Sequence, residues 1–212
     1  MKYIKILMVV LILITISACG GIKTTKQYEK MEIKEDGVTG YNLDLRIYGL
    51  VNNESVNKIL RIRNYMNKSY EIMIPSIKED EEEKIIYVID NKTYIENEEG
   101  KYVVTDEKIK YTNPAIYLEG LNYIKKDAKP KEEKVGEITY DVYEVMVDKK
   151  TISNILKDTD IKNIKIDKDI NAKIYLNKEG YVYRIIYYLD GLTINANYFG
   201  INTVREIELP VE

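Results

Sequence analysis

The sequence contains no histidine and no tryptophan, one cysteine, one phenylalanine and four prolines. Without histidine the chain lacks the side chain that most readily moves protons near neutral pH, and the commonest nitrogen ligand for transition metals. Nucleophile–histidine pairs and zinc sites are thereby excluded. A single cysteine permits no internal disulfide, so the core must hold the fold unaided. Charge of either sign is not in large excess: 32 basic and 35 acidic residues give a formal charge of −3. Residues 1–18 hold two lysines and no acid, so without them the charge is −5. That balance disfavours nucleic acid as a partner and offers no polybasic run for anionic lipid. No catalytic residue, cofactor or metal site is read from this composition.

The one cysteine, Cys19, follows Ile16, Ser17 and Ala18, at the end of a short apolar stretch. Lys2 and Lys5 precede Ile6 to Ile14, which is unbroken by any polar residue. A basic start, an apolar run and small residues before a reactive thiol are the layout of an export signal. The stretch from Ile6 to Ala18 has 13 residues, and an uncleaved helix needs about 20 apolar residues to cross a bilayer. A plain secretory signal fits the apolar run as well, but would leave a lone thiol exposed at the mature start. The segment resembles a bacterial lipoprotein signal with its lipobox, although Ile16 stands where leucine is usual. That resemblance implies diacylglyceryl transfer to Cys19, cleavage after Ala18, and an extracytoplasmic protein lipid-anchored to the bacterial cell membrane. Multiple acyl chains would make the anchor persistent.

Residues 19–40 open with Cys19 and two glycines and are poor in large apolar side chains, so they read as a lipidated flexible tether; residues 41–212 read as one domain. Tyrosine occurs 20 times, together with abundant Lys, Ile and Asn, a mixture that codon bias produces as readily as selection does. Either way, tyrosine favours strands.

From Tyr41 onward short apolar runs alternate with turn residues, the signature of an antiparallel meander. Leu43, Leu45 and Ile47 alternate with Asn42, Asp44 and Arg46, giving a first strand with one apolar face. Further strands are expected over 55–66, 69–74, 85–89, 93–96, 101–105, on both sides of Gly136 with the longer over 138–147, and over 172–176, 181–189, 192–198 and 203–209. Tyr183, Ile185, Tyr187 and Leu189 would share one face of their strand and Val182, Ile186 and Tyr188 the other, so that strand should be covered on both sides. Asp190-Gly191 is a strong two-residue hairpin signal. The acidic run Glu79 to Glu83 lacks the spaced ligands and turn glycine of a calcium loop and reads as a solvated hairpin tip. Asn113-Pro114 opens a helix, with Tyr117, Leu121 and Ile124 at helical spacing. A second helix, capped by Asp148, runs from Lys149 to Leu156 and faces inward through Ile152, Ile155 and Leu156. Asp158, Asp160, Asp167 and Asp169 also fail as a calcium loop, because Asn163 takes the glycine position. Asp141 and Glu144, three apart on a strand, face opposite sides and make a poor acid–base pair.

Asp90 to Tyr94, the helix after Asn113-Pro114 and the block Ile174 to Pro210 together resemble the half-barrel of the LolA and LppX-type lipoprotein carriers. The expected fold is α+β and mostly β: a single strongly curved antiparallel sheet of about 10 to 12 strands, with two short helices packed on its concave face. The resemblance implies that this face holds acyl chains of a lipid or of a lipidated partner. The candidate lining residues are Leu45, Ile47, Ile62, Val142, Tyr187, Ile194 and Tyr198 on strands, with Tyr117 and Leu121 on the helix. The same residues also suit a plain packed core, since alternation does not separate a core from a cavity. The function expected is non-enzymatic binding of a hydrophobic ligand at the membrane; a structural or sensory lipoprotein meeting an envelope protein partner is the alternative.

Overall fold

The computed structural model describes residues 38–76, 83–162 and 164–210. The signal segment 1–18, Cys19, the tether as far as residue 37 and most of the acidic run lie outside the described residues.

Eleven antiparallel strands form one sheet: β1 (Gly40–Val51), β2 (Glu54–Tyr65), β3 (Ser69–Ile74), β4 (Lys84–Ile89), β5 (Lys92–Glu96), β6 (Tyr102–Thr105), β7 (Lys131–Val135), β8 (Ile138–Val147), β9 (Ile170–Leu176), β10 (Val182–Leu189) and β11 (Leu192–Phe199). Their order is β6-β5-β4-β3-β2-β1-β11-β10-β9-β8-β7. The sheet does not close. Two meanders meet where β1 pairs with β11, and the chain passes from one outer edge to the other through a 3-10 helix, Pro114–Tyr123. The α-helix α1 (Lys149–Lys157) is inserted between β8 and β9.

Alternation along each strand sorts the side chains between two faces. The inner face carries the principal core, with Leu43, Leu45, Ile47, Ile62, Ile174, Ile185 and Ile194 buried against Tyr117 and Leu121 of the 3-10 helix and Ile152, Ile155 and Leu156 of α1. α1 begins as its sequence indicates: the Asp148 carboxylate accepts the Thr151 N–H at 2.8 Å, satisfying one of the helix's free donors. The first helix starts at Pro114 but is 3-10 rather than α, and the Asn113 side chain makes no cap hydrogen bond.

Two strand expectations are corrected. The strand expected over 203–209 does not form: residue 203 is a turn and 204–210 hold no strand, because β11 already has β1 and β10 on its two edges. The segment instead lies on the outer face, where Val204 and Ile207 are buried with Tyr87 and pack against Tyr65, Ile85 and Tyr94. In β10, a bulge between Val182 and Arg184 shifts the register, and Tyr183 joins the outer-face cluster, stacking on Tyr140 at 4.3 Å. The outer side of β10 is also only partly covered, Tyr188 being 42% exposed.

Candidate functional site

Eight of the nine candidate lining residues come together. Leu45, Ile47, Ile62, Tyr117, Leu121, Tyr187, Ile194 and Tyr198 are all buried in the inner-face core. Val142 is not among them. It pairs with Tyr175 across β8 and β9 and packs with Tyr140 and Tyr175 in a separate outer-face cluster. On β8 the inner face belongs to Tyr143, Val145 and Val147, which join the principal core. Both alternating sets of that strand are apolar enough to have qualified from sequence.

Tyr187 fixes the 3-10 helix to the sheet. Its hydroxyl donates to the Tyr117 carbonyl at 2.8 Å and accepts the Gly120 N–H at 2.9 Å. Tyr117 and Gly120 are the i and i+3 partners of one 3-10 step, so the hydroxyl is inserted into the helix's own hydrogen bond. Only glycine leaves it room: a Cβ at position 120 would lie 2.9 Å from that oxygen. Burial holds the Tyr187 pKa well above that of a free phenol, so the hydroxyl keeps the proton it donates.

One lateral row of inner-face residues crosses seven strands in continuous register: Tyr198, Leu43, Ile62, Ile72, Ile86, Ile95 and Val103. At the usual strand spacing it spans ~29 Å. Its exposure is graded, from 2% at Tyr198 and 0% at Ile62 and Ile72 to 41% at Val103. The 3-10 helix packs mainly over β8, β9 and β10, on the other side of the β1–β11 pairing from most of the row. The buried end is polar. Tyr198 meets Tyr41 edge-on at 5.3 Å; among the described residues the Tyr198 hydroxyl has no hydrogen-bond partner, and the Tyr41 hydroxyl has only the nearby Asn64 side chain, without hydrogen-bond geometry. Burial raises the pKa of both phenols, so both hydroxyls are protonated donors.

Asp158 and Asp160, which fail as calcium ligands, bind tyrosines instead. Asp158 receives the Tyr117 hydroxyl at 3.4 Å and Asp160 the Tyr111 hydroxyl. The Tyr111 N–H also donates to the Asp158 carbonyl at 2.7 Å, clasping the segment before the 3-10 helix to the end of α1. Burial pushes the Asp158 carboxyl up to about 6, against hydrogen bonds from Asn113, Tyr117 and Thr112 and the charge of Lys110 that favour the anion. Its folded-state pKa exceeds its ordinary value of 3.8, so the folded state holds the proton more tightly. The resulting stability is fully present below the lower value and lost as pH rises through about 6. Urea unfolding at several pH values is expected to show Asp158→Asn gaining about 1–2 kcal/mol on the wild type between pH 4 and pH 7, after discounting for partial solvent screening. Parallel curves for the two proteins would contradict this.

Asp141 and Glu144 are held apart in ion pairs, Asp141 with Lys178 at 2.7 Å and Glu144 with Lys131 at 3.4 Å. Among the described residues, no three of Asp, Glu, His and Cys gather as a metal would require, and no helix is long and apolar enough to cross a membrane.

A solved structure shares this arrangement. LprF from Mycobacterium bovis superposes with a TM-score of 0.52 at 11% identity, over 82% of this chain and 90% of its own. The chain shares its fold with LprF. Matches also include the Mycobacterium tuberculosis lipoprotein LppX, with TM-score 0.49 and 11% identity over 83% and 90% of the two chains. The LolA superfamily protein NE2245 from Nitrosomonas europaea gives 0.37 and 11% over 86% and 92%. No family model matches the chain, and no curated protein does. The fold expected from the sequence, one open antiparallel sheet of 10 to 12 strands with two short helices, is met.

Proposed function

We propose that the chain is an extracytoplasmic lipoprotein, anchored to the cell membrane through diacylated Cys19, that binds an apolar ligand without chemical turnover. The observation that carries this reading is the seven-strand row from Tyr198 to Val103. It is an apolar track, accessible at one end and ending at two buried hydroxyls, of which Tyr198 has no partner among the described residues and Tyr41 only the nearby Asn64 side chain. Concave apolar surfaces with a few placed polar groups are the general form of a ligand site, and an unsatisfied buried hydroxyl costs about 1–3 kcal/mol. An ester or carboxyl oxygen at the end of an acyl chain would satisfy both phenols. The fold shared with LprF is consistent with this reading.

Organic extraction of the protein purified from envelopes, followed by mass spectrometry, is expected to release a stoichiometric acyl lipid besides the anchor; a ligand-free protein would refute the binding role. Tyr198→Phe separates site from core by the sign of its effects. Removing an unsatisfied hydroxyl should leave the ligand-free protein as stable as the wild type or about 1 kcal/mol more so, yet reduce the lipid retained. A variant that retains lipid in full would remove Tyr198 from the site. For the anchor, a clickable fatty acid should label the wild type and leave Cys19→Ser unlabelled; equal labelling would end the lipoprotein reading.

A protein partner is the second reading. Tyr48, Tyr188 and Met146 fall in one outer-face row through Thr193 and Asn171, and they are 45%, 42% and 56% exposed. Crosslinking that captures one envelope protein, with no extractable lipid, would favour it.

A further inference from the structure

Lysines that are scattered along the sequence meet around one groove. A cavity of about 450 Å³ opens between the end of α1 and the loops on either side of it, lined by Lys108, Lys110, Lys157 and Lys162 above Leu156, Ile161, Ile164 and Ile166. The lysines come from three stretches of chain, before the 3-10 helix, at the end of α1 and in the loop that follows. No run of basic residues announces them, which is why composition indicates no basic surface for lipid.

Charge at this groove is opposite to that of the whole chain and is not neutralised from within. Among the described residues the one carboxylate lining it, Asp160, is already engaged by Lys58 at 2.8 Å and by the Tyr111 hydroxyl. Burial opposes its ionisation, but those two partners prevail and its pKa lies below the ordinary value. Lys110 donates to the Lys157 carbonyl at 2.6 Å and Lys157 approaches the Asn154 side chain at 3.5 Å; both acceptors are neutral. Lys108 and Lys162 are exposed and form no ion pair with a described residue. Beneath them the floor is apolar: Leu156 belongs to the principal core, and Ile161, Ile164 and Ile166 pack against it while remaining partly open.

Lys108, Lys157 and Lys162, none of them in an ion pair with a described residue, stand over an apolar floor and complement a molecule with a negative head and hydrocarbon directly behind it. A free anion would leave the isoleucines in water, and a neutral lipid would leave the lysines unpaired. We infer that this groove receives the anionic headgroup of a membrane phospholipid, its phosphate against Lys108, Lys157 and Lys162 and its first methylenes on Ile161, Ile164 and Ile166. The inference rests on the reading that the chain meets lipid, and adds a charge preference to it.

The full chain in a neutral maltoside detergent is titrated with dihexanoyl phosphatidylglycerol or dihexanoyl phosphatidylcholine, and lipid adducts are followed by native mass spectrometry. Each lysine near anionic lipid contributes enough to shift affinity severalfold, so phosphatidylglycerol is expected to half-saturate the protein at a concentration at least about tenfold lower. The triple variant Lys108→Gln/Lys157→Gln/Lys162→Gln should bring the two lipids to within about twofold. Lys110 is left intact because its ammonium bonds the chain at Lys157, and an unchanged thermal melt confirms that the variant is folded. Equal binding of both lipids by the wild type overturns the charge preference and leaves the lipid reading standing. Binding of neither lipid overturns both. A triple variant that keeps the preference, or inorganic phosphate displacing phosphatidylglycerol at equal concentration, also overturns the proposed site.

Discussion

Truncating Tyr187 to alanine is expected to lower the unfolding free energy by about 4–5 kcal/mol, the upper end for a fully buried aromatic. The ring is wholly buried on the inner face of β10, among Ile47, Ile194 and Ala172 of neighbouring strands. Its loss therefore removes apolar contacts and leaves a cavity under the 3-10 helix. The hydroxyl adds a second term, since it bridges the Gly120 N–H and the Tyr117 carbonyl. Tyr187→Phe isolates that term and should cost about 2 kcal/mol, with the helix free to re-form its own direct bond in part compensation. Urea denaturation measures both. The distinguishing readout is local: amide hydrogen exchange in Pro114–Tyr123 should accelerate in Tyr187→Phe while β1 and β11 stay protected. Uniform loss of protection would show that the hydroxyl does not act through the helix.

The same tyrosine marks how far the sequence could be read. Strand limits were legible wherever a polar turn interrupts an apolar run: 69–74 and 138–147 coincide with β3 and β8, and Asp190-Gly191 closes the β10–β11 hairpin. The face of β1 was legible because Asn42, Asp44 and Arg46 separate Leu43, Leu45 and Ile47. On β8 both faces carry apolar residues, so alternation does not choose between them and Val142 lies on the outer face; on β10 the bulge at Val182–Arg184, which has no sequence signal, puts Tyr183 on the outer face and Val182 on the inner one. The apolar row was legible only in pieces. Tyr198 and Leu43 are neighbours through the β1–β11 pairing, which joins the two ends of the domain and leaves no local trace. Asp158 and Asp160 were visible as acids, but their tyrosine partners arrive from the 3-10 helix and the segment before it, more than 40 residues earlier.

Gly49→Ala is expected to destabilise the protein by about 3 kcal/mol or more, because it strikes the seam between the two meanders. Gly49 sits near the end of β1 at φ 146°, where a side chain is strained. A Cβ there would come 2.1 Å from the Gly191 carbonyl oxygen and 2.9 Å from the Leu192 Cα. Both atoms are backbone, so no rotamer change relieves the overlap and the strands themselves must separate. That same carbonyl accepts the Leu50 N–H at 2.6 Å, and separation would break this link between the β1–β2 and β10–β11 hairpins. Leu50→Ser is the control. Leu50 is adjacent but 60% exposed, and its substitution should stay within about 0.5 kcal/mol, as surface changes do. Urea midpoints of the two variants test the contrast, and a Gly49→Ala protein as stable as Leu50→Ser would show that the β1–β11 seam tolerates opening. The inner-face row crosses this seam between Tyr198 and Leu43, so a seam opened by Gly49→Ala should also reduce lipid retention, although Gly49 lies outside the row.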